Sequence, residues 1–424
     1  MSIRPVALPR SAFAQTVRVP GDKSLSHRAL IFAAMASGKS QVIGGGPGAD
    51  VASTRRVLTH LGVEYDGITI RSKGVDRWQS PEAPLDCGNS GTTLRLLAGA
   101  LAARPFRSTL VGDASLMVRP MRRLVDPLEA LGARVRLGHG GRPPVEVGAR
   151  GPLRGADVEI PIASAQVRSA FELAALQAED AASIHGPTGY RDHTERWLTA
   201  WGLGERTDDG RYRVLPGNVP AWKYDVPGDP SSAAFLWTLA AARRDAVVTT
   251  PEVSLNPGRI GFLQVLEMFG AEISAEVTSM ILGDPIGSVT VRGRGLFHAE
   301  VDGELAVAAL DELPLVAVLG ALGEGVTRVR GAAELRAKES DRIAATVDMI
   351  RALGGGAERL DDGFVVLGTG FLEPGVVETQ GDHRIAMAAA VAAIGVDGEV
   401  AIDGAEVAGI SWPGFYEQVM ALWS

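Results

Sequence analysis

The stretch 20-PGDKSLSHRALIFAAMASG-38 decides how the rest of the chain is read. A Gly-Asp-Lys-Ser cluster turns directly into the apolar run Ala29–Ala36, so a polar loop opens a helix too apolar to lie on a surface. Five more segments repeat the arrangement. GNSGT at Gly88, ASAQ at Ala163, GDPSS at Gly228, DELP at Asp311 and GDHR at Gly381 each precede a run rich in alanine and leucine. The segments begin near Pro20, Asp86, Pro161, Val226, Ala308 and Thr379, at intervals of 65 to 82 residues. That recurrence marks one unit used six times.

A second, amphipathic helix follows in each segment. Met121, Leu124, Val125, Leu128 and Leu131 fall on one face, and Ile343, Val347, Ile350 and Leu353 keep the same stripe. Five of these second helices stop at a glycine, Gly62, Gly132, Gly202, Gly270 or Gly354, the residue a left-handed cap favours. Strands follow, as at Arg134–Leu137 and Glu272–Ala275. Six α/β units exceed one core, and three per domain is the natural partition. The break falls in WKYDVPGDPSS, rich in proline, glycine and serine. The expected domains are 20–225 and 1–19 plus 226–424, the N-terminal segment pairing with the C-terminal half and the chain crossing twice.

Composition narrows the class. Apolar residues make up 46% and charged residues 22% of 424, which is ordinary globular usage and not that of a disordered chain. A net charge of −8 argues against a general nucleic-acid binder, so an anionic ligand must be met by local bases. One cysteine, Cys87, excludes an internal disulfide and a multi-cysteine metal site. Met1–Pro20 has no apolar core of the kind a secretion signal carries. The run Ile385–Val396 is far short of the ~20 residues a membrane span needs. The cytoplasm is the expected location, with no membrane partner. Only five of 42 basic residues are lysines (Lys23, Lys39, Lys73, Lys223 and Lys338), so each raises the question of why a compact ammonium stands there.

The polar clusters lie at helix N-termini, which carry about half a positive charge and bind anions. Ordinary capping accounts for any one of them alone. The bases beside them are what point to a ligand: Lys23, Ser24 and Arg28 in PGDKSLSHRAL, Asn89, Gly91 and Thr92 in GNSGTTLR, and Arg119, Arg122 and Arg123 in RPMRRL. ASAQVRSA adds Ser164, Gln166 and Arg168, and RDHTER, DELP, AKESDR and GDHRIAM follow in order. Together these motifs closely resemble those of the 5-enolpyruvylshikimate-3-phosphate synthases, the 3-phosphoshikimate 1-carboxyvinyltransferases, over essentially the whole chain.

The resemblance implies a two-domain enolpyruvyl transferase fold, each domain three copies of a βαβαββ-like unit, with the active site in the interdomain cleft. It implies transfer of the enolpyruvyl group of phosphoenolpyruvate to the 5-hydroxyl of shikimate 3-phosphate by addition and elimination, with no metal and no organic cofactor. The substrates bring a charge of roughly −5 to −6, taking ~1.5–2 per phosphate, so cations and helix ends must converge. A hydroxyl must lose a proton while a vinyl carbon gains one, and the roles later reverse. By resemblance, phosphoenolpyruvate falls to Lys23, Asn89, Gly91, Arg119, Gln166, Arg342 and Arg384. Shikimate 3-phosphate falls to Lys23, Ser24, Arg28, Ser164, Ala165, Gln166, Arg191, Asp311 and Lys338. Asp311 is the candidate base, Glu339 and Lys23 are candidates for vinyl protonation, and His383 is a further one. Gly91 is the position whose missing side chain leaves room for the inhibitor glyphosate, although Leu96 stands where sensitive members often have proline.

Blander readings exist for single motifs: Asp311–Glu312 as a helix cap, Glu339–Arg342 as an i, i+3 helix pair. Tyr190, Glu334 and Ile410 depart from the better-known branch of the family, and Arg168 stands where its second class often has lysine. The sister UDP-N-acetylglucosamine enolpyruvyl transferase carries a Lys-Asn pair and a loop cysteine, whereas here Ser24 follows Lys23 and Cys87 precedes GNSGT. A nucleotide-binding P-loop at 33-AAMASGKS-40 needs a strand before it and a helix opening at the lysine, yet this run closes an apolar helix. GGGPGAD at Gly44–Asp50 reads as a turn. A non-catalytic relative would lack Asp311 and Glu339. The expected partners are the two small substrates alone, the protein acting as a monomer.

Overall fold

A computed structural model describes residues 3–424, and among them six small sheets, one for each segment. The second segment shows the pattern: strand Leu85–Asp86, helix Gly91–Leu101, strand Ser108–Val111, helix Val125–Ala130, then strands Ala133–Leu137 and Val145–Ala149. The first two strands run parallel, and the last pairs antiparallel with both Ser108–Val111 and Ala133–Leu137. A parallel pair needs a helical crossover whereas an antiparallel pair can close through a short turn, so the order β-α-β-α-β-β follows from the pairing.

Three sheets borrow a strand from elsewhere in the chain. Lys223–Asp225 lies parallel to Ser37–Ile43. Ala14–Thr16 lies parallel to Val247–Ser254, and Ile3–Val6 pairs antiparallel with Val400–Asp403. The N-terminal segment therefore completes two sheets of the C-terminal half. Residues 1 and 2 of the expected segment lie outside the described residues.

The chain divides into one compact unit of 21–226 with Met280–Asp284, and another of the chain up to Pro20, 227–279 and 285–424. The expected partition put 280–284 with the second unit and had two crossings; the observed one has four. Asp284 gives the reason. It is fully buried, and a carboxylate is buried only against donors; His193 Nδ1 lies 2.9 Å away and Trp197 Nε1 donates at 3.1 Å. Each unit has its own apolar core, and Ile281 and Leu282 pack into that of 21–226.

The first helix of each segment is buried on nearly all sides, as its uniform apolar run requires. Gly99 lets two of them touch: a Cβ there would lie 2.0 Å from the Ala170 carbonyl oxygen, so Gly91–Leu101 and Ala165–Ala175 pack backbone to backbone. The five expected cap glycines all adopt positive φ, from 70° at Gly202 to 96° at Gly132 and Gly270. The P-loop alternative fails on geometry, because the helix ends at Met35 and Lys39 lies within the strand Ser37–Ile43.

Candidate active site

In the unit of 21–226, side chains bring the N-terminal ends of three helices together. Gln166, in the first turn of Ala165–Ala175, accepts from Arg95 Nη1 at 2.7 Å through its oxygen and donates to Thr92 Oγ1 at 2.8 Å through its nitrogen. Both partners stand on the helix Gly91–Leu101. Arg28, on Lys23–Met35, donates to Ser169 Oγ and to Thr194 Oγ1, each at 2.8 Å, and to the Ser24 carbonyl at 3.1 Å. Burial pulls its guanidinium down to about 10, with Arg191 adding to the fall and Glu172, Asp22 and Asp284 opposing it. Lys23 Nζ donates to Asp50 Oδ2 at 3.1 Å. Arg119 reaches Asn89 Oδ1 at 2.7 Å and Ser115 Oγ at 3.2 Å, and Asn89 in turn donates to Asp113. A Cβ on Gly91 would stand 2.7 Å from Arg95 Nη1 and 3.4 Å from Arg119 Nη1.

The expected shikimate residues on the Ala165–Ala175 helix have double duty. Ser164 is its N-cap, accepting from the Val167 amide at 3.4 Å, and Ala165 is its first residue. Tyr190 and Arg168 belong to a network behind it that runs from the buried Arg168 and Glu195 to the exposed Arg206. Arg168 Nε and the Tyr190 hydroxyl both donate to Glu195 Oε1 at 2.7 Å, Arg206 donates to Glu195 Oε2, and Arg168 stacks 4.3 Å over the Tyr190 ring. Tyr190 thus serves this network, and Arg191, half-buried beside it, lies near enough to Arg28 to lower its pKa.

In the other unit a single arginine gathers the acidic candidates. Arg342 is 1% exposed and makes four hydrogen bonds: Nε to Asp382 Oδ2 at 2.7 Å, Nη2 to Asp382 Oδ1 at 3.2 Å and Glu339 Oε2 at 2.6 Å, and Nη1 to Asp311 Oδ1 at 3.1 Å. Burial works against its charge, but Asp382, Glu339 and Asp311 outweigh it and raise its pKa. Lys338 Nζ also donates to Asp311 Oδ1 at 3.2 Å, and Arg384 Nη1 donates to the Asp311 carbonyl at 3.1 Å. His383 opens the helix His383–Ala392 and is buried.

Both bland alternatives are corrected here. Glu312 precedes the helix Leu313–Leu322 without any side-chain capping bond, so DELP is not a cap. Glu339 lies outside the helix Arg342–Ala352, which Asp341 caps, so the Glu339–Arg342 pair is not a pair along one helix. Elsewhere capping and site positions coexist: Asp22, Ser90, Ser164, Asp229 and Asp382 all cap, and the candidate residues stand beside them. Glu334 and Ile410 each fall in a 3-10 turn, Ala333–Ala337 and Ala405–Ile410. Cys87 is fully buried, and burial pushes its thiol up.

Sequence reasoning missed Arg95, Asp50 and Asp382. Arg95 had a usable signal, since it stands four residues after Gly91 and so on the same helix face. Asp382 stands in the GDHR cluster and Asp50 in GGGPGAD, but their pairing had no signal, because their partners Arg342 and Lys23 lie 40 and 27 positions away.

The comparisons with known proteins agree with one another. The family model described as EPSP synthase (3-phosphoshikimate 1-carboxyvinyltransferase) matches residues 9–419. A 3-phosphoshikimate 1-carboxyvinyltransferase of Herpetosiphon aurantiacus is 44% identical over 411 residues, covering 95% of each chain. An EPSP synthase structure from Acinetobacter baumannii is similar at a TM-score of 0.85 and 36% identity, over 97% of this chain and 96% of that one. The enolpyruvyl transferase NikO from Streptomyces tendae shares the fold at a TM-score of 0.80 with 17% identity, over 99% of this chain and 97% of that one.

Proposed function

Since the chain belongs to the EPSP synthase family, the 3-phosphoshikimate 1-carboxyvinyltransferases, we propose how its residues divide the work of that reaction. The enzyme transfers the enolpyruvyl group of phosphoenolpyruvate to the 5-hydroxyl of shikimate 3-phosphate and releases phosphate, a step in aromatic amino-acid biosynthesis. UDP-N-acetylglucosamine as acceptor is not favoured, since the similar relatives bear the shikimate name.

In the addition step the 5-oxygen bonds to C2 of phosphoenolpyruvate, the hydroxyl proton leaves, and C3 gains a proton to become a methyl group. In the elimination step the C2–O bond to phosphate breaks, the methyl group returns its proton, and the vinyl group re-forms. Two groups must therefore handle protons beside each other, one at the hydroxyl and one at C3. The observation that supports Asp311 and Glu339 for these tasks is the Arg342 fork, which holds Asp311 on Nη1 and Glu339 on Nη2. Asp311 takes the hydroxyl proton; Glu339, or Lys23, serves C3.

Lys23, Asn89, Gly91, Arg119, Gln166, Arg342 and Arg384 hold phosphoenolpyruvate in this reading. Ser24, Arg28, Ser164, Ala165, Arg191 and Lys338 hold shikimate 3-phosphate, shared with Lys23, Gln166 and Asp311. Arg342 acts chiefly as a scaffold, because most of its donors already serve carboxylates. The same reading takes the enzyme as a monomer. Phosphorylated anions do not cross a bilayer unaided, so we place the enzyme in the cytoplasm, where such substrates are made. Among the described residues no helix is long and apolar enough to cross a membrane.

Asp311→Asn tests the assignment. Turnover should fall by ~10²–10⁴, the range for loss of a general base, while shikimate 3-phosphate binding stays within a few-fold. Wild-type turnover in that variant, measured by phosphate release, overturns the role of Asp311.

A further inference from the structure

Four buried side chains in the unit of 21–226 form a hydrogen-bonded file that neither substrate set uses. His27 Nδ1 lies 2.7 Å from Thr54 Oγ1, and Thr54 Oγ1 lies 2.6 Å from Thr93 Oγ1. The Thr93 hydroxyl donates to Ser90 Oγ at 2.7 Å. All four residues are fully buried. They tie together the helices Lys23–Met35, Ala49–His60 and Gly91–Leu101, the last through its own cap, since Ser90 Oγ also accepts from the Thr93 amide at 3.1 Å.

Each hydroxyl has one hydrogen to give, and that fixes the direction of the file. Thr93 gives its hydrogen to Ser90 at 2.7 Å, nearer than the Asp50 carbonyl at 3.5 Å, and with either acceptor it accepts from Thr54. Thr54 then has none left for the ring and accepts from His27. The His27 ring is therefore neutral with its hydrogen on Nδ1. Its Nε2, which has no hydrogen-bond partner among the described residues, presents a lone pair and not an orphaned N–H, the rarer and costlier defect. The surroundings agree: burial, against the pull of Asp50 and with help from Lys23 and Arg28, holds the ring down to about 3. Buried hydroxyls cost stability when the bonds between them are broken, so the file acts as a directional restraint.

We propose that His27 is a positioning residue for phosphoenolpyruvate: through Thr54 and Thr93 it locks Ser90, and with it the Asn89–Gly91 loop, in place relative to Lys23. Lys23 stands four residues before His27 on the same helix, and Asn89 and Gly91 flank Ser90. The proposal rests on the reading that Lys23 and the Asn89–Gly91 loop hold that substrate.

Two measurements test it. Histidine-selective ¹⁵N labelling of the full chain, with the His27 signals identified by their loss in His27→Asn, should show a neutral ring protonated on Nδ1 that does not titrate between pH 5 and 8. A ring protonated on Nε2, or one that titrates in that range, overturns the file. This readout needs no turnover, so it is separate from the assignment of the reaction. In kinetics, Thr54→Val keeps the shape and removes the hydroxyl, leaving buried partners unsatisfied; the KM for phosphoenolpyruvate should rise about tenfold, with a smaller change for shikimate 3-phosphate. Thr54→Ser should restore it. Thr54→Val with the wild-type KM for phosphoenolpyruvate, or Thr54→Ser no better than valine, refutes the positioning role.

Discussion

Arg95 and Arg342 are both arginines near the start of a helix, and burial sorts them into different tasks. Arg342 sits in the core among three carboxylates and is raised by them against the cost of burial. Arg95 is half-buried and reaches across to Gln166, passing over Gly91. Gly91 consequently leaves room for the Arg95 guanidinium. A methyl group there would meet Arg95 Nη1 at 2.7 Å, and the guanidinium, the flexible end of its side chain, is what yields. Gly91→Ala should raise the KM for phosphoenolpyruvate, with overpacking of ~1–3 kcal/mol as the bound, and should weaken glyphosate more strongly than substrate. Competition of glyphosate against phosphoenolpyruvate at saturating shikimate 3-phosphate checks this. Equal inhibition of wild type and Gly91→Ala contradicts the reading of the loop.

At the scale of elements, the helix Ala165–Ala175 shows how a helix that carries candidate binding residues is braced. Its N-terminal end carries Ser164 and Gln166, while Arg168 ties it to Glu195 and Glu172 lies buried on a later turn. Glu172 is 1% exposed and neither carboxyl oxygen has a hydrogen-bond partner among the described residues. Burial, and then Glu195, hold its carboxyl well above the usual value of 4.5, against the pull of Arg168 and Arg28. The folded chain keeps this proton after the unfolded chain has lost it. The stability that goes with the raised pKa is thus complete below pH 4.5 and declines as pH rises toward the folded value. Glu172→Gln carries no such proton. Its stability relative to wild type should therefore climb above pH 4.5 by about 1.4 kcal/mol per pH unit within that window. Denaturant unfolding of both proteins at pH 5, 6 and 7 measures the gap; a gap that stays constant or narrows with pH contradicts a protonated Glu172.

At the scale of the whole molecule, the N-terminal strands complete sheets whose other members lie more than 200 residues away. Deleting residues 3–16 should leave the edges Val247–Thr249 and Val400–Asp403 unpaired, and unpaired edges lose protection. Hydrogen exchange should quicken in those two stretches and stay unchanged in Ser108–Val111, which pairs within 21–226. Equal protection in the truncated and intact chains would show that the segment adds nothing to these sheets. Lys23, Asp311 and Glu339 stand out only through the family resemblance, but much of the organisation is legible in the sequence itself: the six-fold unit, the glycine caps and the polar clusters at helix starts. These follow from the sequence by itself because they are local, set by helical and strand periods and by which residues tolerate a cap or a positive φ. Only the tertiary structure decided which polar group answers which. The Arg342 fork, the Arg95–Gln166 bridge, the file from His27 to Ser90 and the transfer of Met280–Asp284 to the other unit all join residues far apart in the chain. With 42 basic and 50 acidic residues, composition allows a great many pairings, and burial selects among them, because a charge or hydroxyl removed from water must find its partner within hydrogen-bond reach.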